Sequence, residues 1–193
     1  MTPEMLHDLV YEANFAPSTH NTQPTQWQLD GDGLILSLNP KRFLPAGDPD
    51  NRDARLSMGA ALYGTEIALS HRRYRVREYE RHAGTVRIAF DSGEPHTVPP
   101  KRLVTMRTSY RAGFSAPTPE HVKALTHLCH HRTDAALTTD TSMIQTLAKL
   151  NDATSLGFMR DRAFRDELRA WMRLKPNHPD WAKDGLSAEA LAM

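Results

Sequence analysis

The chain predicts an α+β fold, helices packed around an antiparallel or mixed sheet, and two observations carry that prediction. Apolar residues recur at helical spacing in long segments, and between the first of these segments short runs alternate apolar with polar residues on either side of glycine turns. At 193 residues the chain can bury one core, so it reads as a single domain, residues 1–95 forming a first half and 101–193 the start of a second.

Thr2 is placed to cap a helix with Pro3 in its first position, and Met5, Leu6, Leu9 and Val10 give that helix an apolar stripe. Pro17 ends it, because proline lacks an N–H and restricts Ala16 before it. Trp27 and Leu29, then Leu34, Leu36 and Leu38, alternate with polar neighbours around Gly31-Asp32-Gly33, so residues 25–38 predict a hairpin. Pro40, Pro45 and Pro49 mark the following segment as loop. From Asp53 to about His71, the pattern Leu56, Ala60, Ala61, Tyr63, Ile67 and Ala68 predicts the core helix, whose small residues admit the close approach of another backbone.

Residues 73–80 and 84–90 predict a second hairpin turning near Ala83-Gly84. Asp91 to Pro100, with its glycine and prolines, reads as the connection between the two halves. Thr118-Pro119-Glu120 signals a helix start, followed by the stripe Val122, Leu125 and Leu128. Residues 134–139 read as a strand. Asp140 or Thr141 then caps a helix to Phe158, and residues 161–173 form an amphipathic helix carrying Phe164, Leu168 and Trp171. From Lys175 onward, Pro176, Pro179 and weak periodicity leave an arm that either packs or dangles.

Lys+Arg of 24 against Asp+Glu of 23 gives a formal charge of +1, which supplies no global field for nucleic acid or an anionic membrane. The run Arg72-Arg73-Tyr74-Arg75-Val76-Arg77 alternates with apolar residues and reads as a strand with one solvated face. Cys129 is the sole cysteine, so no intrachain disulfide exists and a reducing compartment is expected. Met1-Thr2-Pro3-Glu4-Met5 lacks the charged and apolar regions of an export signal, and no run reaches transmembrane length; the expectation is a cytoplasmic protein without a membrane partner. A hydrophobic content of 39% and a mean hydropathy of −0.56 are low for a globular domain, which fits a partner surface or a further segment.

The densest chemistry lies in Ala16-Pro17-Ser18-Thr19-His20-Asn21-Thr22-Gln23-Pro24, where Ser18, Thr19, Asn21 and Gln23 gather hydroxyls, amides and turn N–H groups suited to a polar ligand. The same composition also describes an ordinary polar turn. His20 reads as a hydrogen-bonding loop residue rather than an acid or base, and Tyr63 and Trp27 read as core. His127 and His131 have a spacing that suits one metal, but neither a carboxylate nor a second cysteine accompanies them at ligand spacing; with Cys129 and His130 they read as a helix end, where histidine suits the negative pole of the dipole. No serine–histidine–acid triad, Walker motif, dinucleotide fingerprint or zinc protease motif is present.

The string from Ala16 to Pro24 closely resembles the loop of the nitroreductase-like FMN flavoproteins, in particular the Acg-like branch, in which one chain holds two nitroreductase-like halves around FMN. Leu44-Pro45-Ala46-Gly47-Asp48-Pro49-Asp50-Asn51-Arg52-Asp53 is similar to the loop before the family's core helix, and Ser57-Met58-Gly59-Ala60-Ala61-Leu62 to the start of that helix. Arg107-Thr108-Ser109-Tyr110-Arg111-Ala112-Gly113-Phe114 resembles the arginine-rich segment that contacts the flavin phosphate and ribityl chain. The similarity runs over about residues 3 to 173. It departs where Thr25 and Gln26 precede Trp27, a position at which the family has tryptophan directly after Gln-Pro, and the family continues beyond the equivalent of Met193 through a region that completes its flavin site.

The resemblance implies a nitroreductase-like fold and NAD(P)H-dependent reduction of nitroaromatic- or quinone-like acceptors by flavin hydride transfer. FMN would be held by Pro17, Ser18, Thr19, His20, Asn21, Gln23, Arg107, Thr108 and Arg111, with arginines on the phosphate and the neutral loop on the ribityl chain and ring edge. No side-chain nucleophile and no metal is implied. The partners are a small-molecule electron acceptor and either a second copy in a homodimer or a further C-terminal segment. A non-catalytic flavin-sequestering or storage protein is the alternative, and a flavin-free interaction module is another.

Overall fold

Thr2 accepts the N–H of Met5 and Pro3 occupies the first turn of helix α1, Pro3–Ala13, whose Leu9 and Ala13 are fully buried. The computed structural model describes residues 1–94, 99–109, 113–181 and 183–188. Strands β1 (Thr25–Asp30) and β2 (Gly33–Leu38) form the first hairpin, helix α2 runs Arg52–His71, and β3 (Tyr74–His82) and β4 (Thr85–Ser92) form the second hairpin. A short helix α3, Lys101–Thr105, is followed by α4 (Pro119–Cys129), α5 (Thr141–Arg160) and α6 (Arg162–Ala170), then by β5 (Met172–Arg173) paired in parallel with β6 (Leu186–Ser187). The architecture is α+β, as the hydrophobic patterning predicts. No helix among the described residues is long and apolar enough to cross a membrane.

The two hairpins join into one antiparallel sheet of order β1-β2-β4-β3, with Leu34 opposite Ile88 and Leu36 opposite Val86. The register shifts between Val76 and Glu78, so Val76 opposes Phe90 and Tyr79 opposes Ile88 although they lie three apart in sequence. This bulge keeps both side chains on the face that carries the core. Leu9 of α1, Ala68 and Leu69 of α2, and Leu34, Leu36 and Ile88 of the sheet form that core. Burial and a hydrogen bond with Glu66 of α2 push the Tyr79 hydroxyl up to about 12. The Trp27 indole N–H donates to Thr65 Oγ1 at 2.8 Å, which satisfies the polar edge of a ring packed on the core.

The small-residue face expected of α2 has a specific use at Gly64. A Cβ there would lie 2.9 Å from the carbonyl oxygen of Ala13, so α1 and α2 cross at a point with no room for a side chain. Tyr63, expected in the core, is instead 59% exposed, because the inward side of α2 is taken by Ala61, Ile67 and Ala68.

Several boundaries differ from the sequence expectation. Helix α1 stops at Ala13, before Pro17, and Asn14 caps it by donating its N–H to Val10 and Glu12. Residues 134–139 are irregular, not a strand: among the described residues no strand pairs with them, and local bonds such as Arg132 to Asp134 shape the segment. Helix α6 ends at Ala170, since Trp171 closes a turn onto Leu168 and Met172 enters β5. The described part of the arm after Lys175 packs, through Lys183, Asp184 and Gly185.

The chain divides into two units. One comprises Met1–Ser109 and Asp166–Ala192, and contains the sheet, α1 to α3 and the β5–β6 pair. The other, Tyr110–Arg165, contains α4 and α5. Thr118 and Asp140 cap these two helices as expected, by accepting the N–H groups of His121 and Met143. Their stripe residues Leu125, Leu128, Leu147 and Leu150 are exposed.

Candidate functional site

The loop after α1 folds as a short 3₁₀ turn, Thr19–Asn21, in which His20, Asn21 and Gln23 take positive φ angles of 51°, 55° and 47°. Non-glycine residues enter that region at a cost, and here side-chain hydrogen bonds hold them in it. Ser18 Oγ accepts the Gln23 N–H at 2.9 Å, Thr19 Oγ1 donates to Asp53 Oδ2 at 3.4 Å, and Gln23 Nε2 donates to Asn21 Oδ1 at 3.2 Å.

The polar groups of this loop also fasten the packed arm. Gln23 Nε2 donates to the Lys183 carbonyl at 2.8 Å, Asn21 Nδ2 to the Gly185 carbonyl at 3.3 Å, and the Gly185 N–H returns to the Asn21 carbonyl at 3.1 Å. Asp184, between them, accepts from Arg42 at 2.9 Å and from Arg173 at 2.7 Å, both as charge-assisted bonds. Arg42 further donates to the Thr22 carbonyl at 2.8 Å. Gly185 is required where the arm turns: its φ is +73°, and a Cβ there would lie 2.5 Å from the Trp171 carbonyl oxygen.

A second set of contacts ties the 46–48 loop to α6 and to the start of α2. Glu167 of α6 accepts the successive N–H groups of Ala46 and Gly47 at 2.9 and 2.8 Å, and Asp48 accepts the Ala54 N–H at the start of α2 at 2.9 Å. Burial holds the His20 imidazole below its ordinary value, while the carboxylates of Glu167 and Asp53 work against that shift. The ring is therefore neutral near pH 7.

Among the described residues, three concavities lie about residues 15–19. The first, about 470 Å³, is lined by Tyr11, Asn14, Phe15, Asn21, Gln23, Arg107 and Lys183. Among the described residues it brings two cations and three amide side chains to one space, and no carboxylate lines it. The second, about 430 Å³, is an apolar slot that shares Phe15 and Arg107 with the first and is otherwise walled by residues of the loop, α2 and α3. The third, about 370 Å³, runs along Pro17, Ser18, Thr19 and the α2 residues Asp53, Leu56, Ser57 and Ala60. Arg107 is set at the junction of the first two by its Nε, which donates to the Phe15 carbonyl at 3.0 Å.

The residues predicted from sequence thus fall into separate places. Asn21, Gln23 and Arg107 meet in the first cavity, whereas Pro17, Ser18 and Thr19 line the third. His20 is partly buried outside the linings of all three cavities and feels the carboxylates of Glu167 and Asp53, Thr108 is exposed in irregular chain, and Arg111 lies outside the described residues. Lys183, Asn14 and Asp53 were not singled out by sequence reasoning. Asp53 and Ser57, four apart at the start of α2, could have been found by their helical spacing; Lys183 sits in an arm with no pattern to expose it.

No family model matches this chain. Among curated proteins, 55 residues are 44% identical to a Mycobacterium tuberculosis H37Rv protein with the provisional name NAD(P)H nitroreductase Rv3131, covering 28% of this chain and 16% of that protein. A further 70-residue match is 34% identical to the provisionally named NAD(P)H nitroreductase acg of the same strain, over 36% of this chain and 21% of the relative. A third, uncharacterized protein Rv3127, is 37% identical over 70 residues, 34% of this chain and 20% of its own length. The matched stretches therefore span about a fifth of these relatives.

Proposed function

Since the chain is nitroreductase-like, with Acg among its relatives, we propose that it belongs to an FMN-dependent NAD(P)H oxidoreductase. The observation that carries this reading is the meeting of Arg107 with Asn21 and Gln23 around one cavity, because the two segments come from distant parts of the chain and each resembles a flavin-contacting segment. The lining suits the group: Arg107 and Lys183 offer charge-assisted donors to a phosphate, the Asn14 amide and the Gln23 side-chain oxygen offer polar contacts to a ribityl chain while the Asn21 and Gln23 amide N–H groups hold the arm, and among the described residues no carboxylate lines the cavity. Its volume of about 470 Å³ lies in the usual range of ligand pockets, roughly 300–1,000 Å³. Ser18 and Thr19, in the third groove, which shares Pro17 and Ala60 with the apolar slot, would meet the ring edge.

When bound, FMN would supply two-electron transfer from NAD(P)H to an electron-poor acceptor such as a nitroaromatic or a quinone. The chain's own part is binding and orientation. His20, kept neutral by burial, supports the loop rather than the charge balance of the site. The test is the visible absorption of the purified protein after incubation with FMN and gel filtration. Retained flavin bands that are lost in Arg107→Gln and bleached by NAD(P)H would bear out the reading, and a colourless wild-type protein would reject it.

The hydrogen bonds that Asn21 and Gln23 make to the Lys183 and Gly185 carbonyls favour a second reading, a flavin-sequestering protein, because they seat the arm beside the same cavity. Flavin retained but not bleached by NAD(P)H would distinguish it.

A further inference from the structure

We propose that β3 is an association edge, on which a second copy of this chain lays its own β3 antiparallel so that one sheet runs through both copies. The sheet order β1-β2-β4-β3 leaves β3 with β4 on one side and, among the described residues, no strand on the other. Half of the N–H and C=O groups of such a strand point away from its neighbour, free to continue the ladder. Charged side chains on an edge ordinarily prevent this, because two copies meet like charge on like. In Tyr74-Arg75-Val76-Arg77-Glu78-Tyr79-Glu80-Arg81-His82 the signs are arranged otherwise.

Two identical strands paired this way share a two-fold axis, so every contact occurs twice. With the axis between Arg77 and Glu78, Arg75 stands opposite the partner's Glu80, Arg77 beside the partner's Glu78, and Val76 opposite the partner's Tyr79. In a regular strand, residues three or five apart lie on opposite faces, and this register would conflict with the alternation. The bulge between Val76 and Glu78 removes the conflict: Val76 and Tyr79 share the core face, so Arg75 and Glu80 beside them share the other. Arg75 is exposed, and Tyr79 is 42% exposed. Glu80, with 41% of its side chain exposed, reaches Arg87 only at 3.5 Å, while Asp30 and Asp32 hold Arg87 at 2.7 and 2.8 Å. Cross-strand pairs of opposite charge, and of an aromatic with a β-branched residue, both stabilise a ladder. The other edge, β1, carries a single charged residue, Asp30, and lacks this pattern.

One strand pair is a small contact, so the dimer is weak and reversible. Sedimentation of the full chain from micromolar to millimolar concentration should show a monomer–dimer equilibrium that added salt weakens. Arg75→Glu and Glu80→Arg each set like charges opposite one another twice, and each should weaken the dimer about tenfold; the double variant should return it to within about threefold of wild type. Within one chain the two positions lie roughly 16 Å apart along the strand, beyond ion-pair reach, so the recovery can arise only between copies. Hydrogen exchange of the unsubstituted chain supplies a check that needs no variant to fold: β3 amides should slow as concentration rises and β1 amides should not. A chain that stays monomeric, a dimer indifferent to the charge changes, a double variant no tighter than the single ones, or β3 exchange independent of concentration would each overturn the proposal. None of these measurements involves flavin, so their outcome is independent of the flavin reading.

Discussion

Glu12 Oε1 is hydrogen-bonded to Nδ1 of His71, joining the last turn of α1 to the last residue of α2, and Nε2 of the same ring faces the Pro99 carbonyl at 3.1 Å. The second Glu12 oxygen takes Arg72 at 3.0 Å and Lys101 at 3.4 Å, so a carboxylate only 2% exposed is met by His71 at the end of α2, Arg72 just after it and Lys101 at the start of α3. The cluster fixes the strand-ward ends of α1 and α2 and the entry to α3, whose Leu103 and Val104 wall the apolar slot.

Removing one member of such a cluster strands the others. Glu12→Ala should therefore cost about 1–3 kcal/mol of folding stability, because His71 and Arg72, 19% and 18% exposed, lose the acceptor that both are bonded to. Glu12→Gln, which keeps an acceptor, should cost less. Denaturant unfolding of both variants checks this, and a cost below about 1 kcal/mol for Glu12→Ala would show the cluster to be solvated.

The pH dependence of Glu12 has a definite sign. Burial works to raise its value, but the hydrogen bonds and charges of His71 and Arg72 hold it below the ordinary 4.5. A carboxyl lowered on folding contributes stability that is complete above 4.5 and is lost as pH falls through the lowered value, because the unfolded chain takes up its proton first. Acid titration of the unfolding free energy should show this component in wild type and lose it in Glu12→Gln.

His20 acts in a higher window. Its folded value is depressed below 6.5, so the unfolded chain binds the proton more readily; stability is complete above 6.5 and falls as pH drops through that value toward the lowered one. Comparing unfolding at about pH 7.5 and about pH 5, His20→Gln should flatten the difference seen in wild type. An unchanged difference would assign the transition to another group.

Two glycines of α2 should respond oppositely to alanine. At Gly64 the added methyl meets the Ala13 carbonyl at 2.9 Å, so Gly64→Ala should destabilise by about 1–3 kcal/mol through forced separation of α1 and α2. At Gly59 nothing lies within 4 Å, and Gly59→Ala should stabilise by about 0.5–1 kcal/mol through the helix propensity of alanine. Thermal unfolding of the two single variants measures both.

Asp184 holds the arm to the loop through Arg42 and Arg173, and the Arg173 side chain is 7% exposed. Asp184→Ala should cost about 3 kcal/mol, since Arg173 would stay buried without its carboxylate. The same change should speed hydrogen exchange of the Gly185 N–H, which is bonded to the Asn21 carbonyl. Unaltered exchange there would mean that the loop retains the arm through Asn21 and Gln23 alone.

Much of this architecture is local and was therefore legible in the residues. Thr2-Pro3, Thr118-Pro119 and Asp140 each carry a cap in their own side chain, and alternation around Gly31 and Gly84 specifies two hairpins, because period and turn chemistry act over a few residues. The chemical character of the 16–24 loop and of Arg107 was likewise readable. Tertiary structure decided where those groups point. Ser18 and Thr19 line one groove while Asn21, Gln23 and Arg107 line another, Tyr63 faces outward although its spacing fits a core stripe, and residues 134–139 remain irregular for want of a strand beside them. The pairing of Asp184 with Arg42, of Glu12 with Lys101 and of Glu167 with the Ala46 and Gly47 amides spans stretches of chain with no periodic relation to one another. Such contacts depend on which surfaces the core brings together, and only the folded chain sets that.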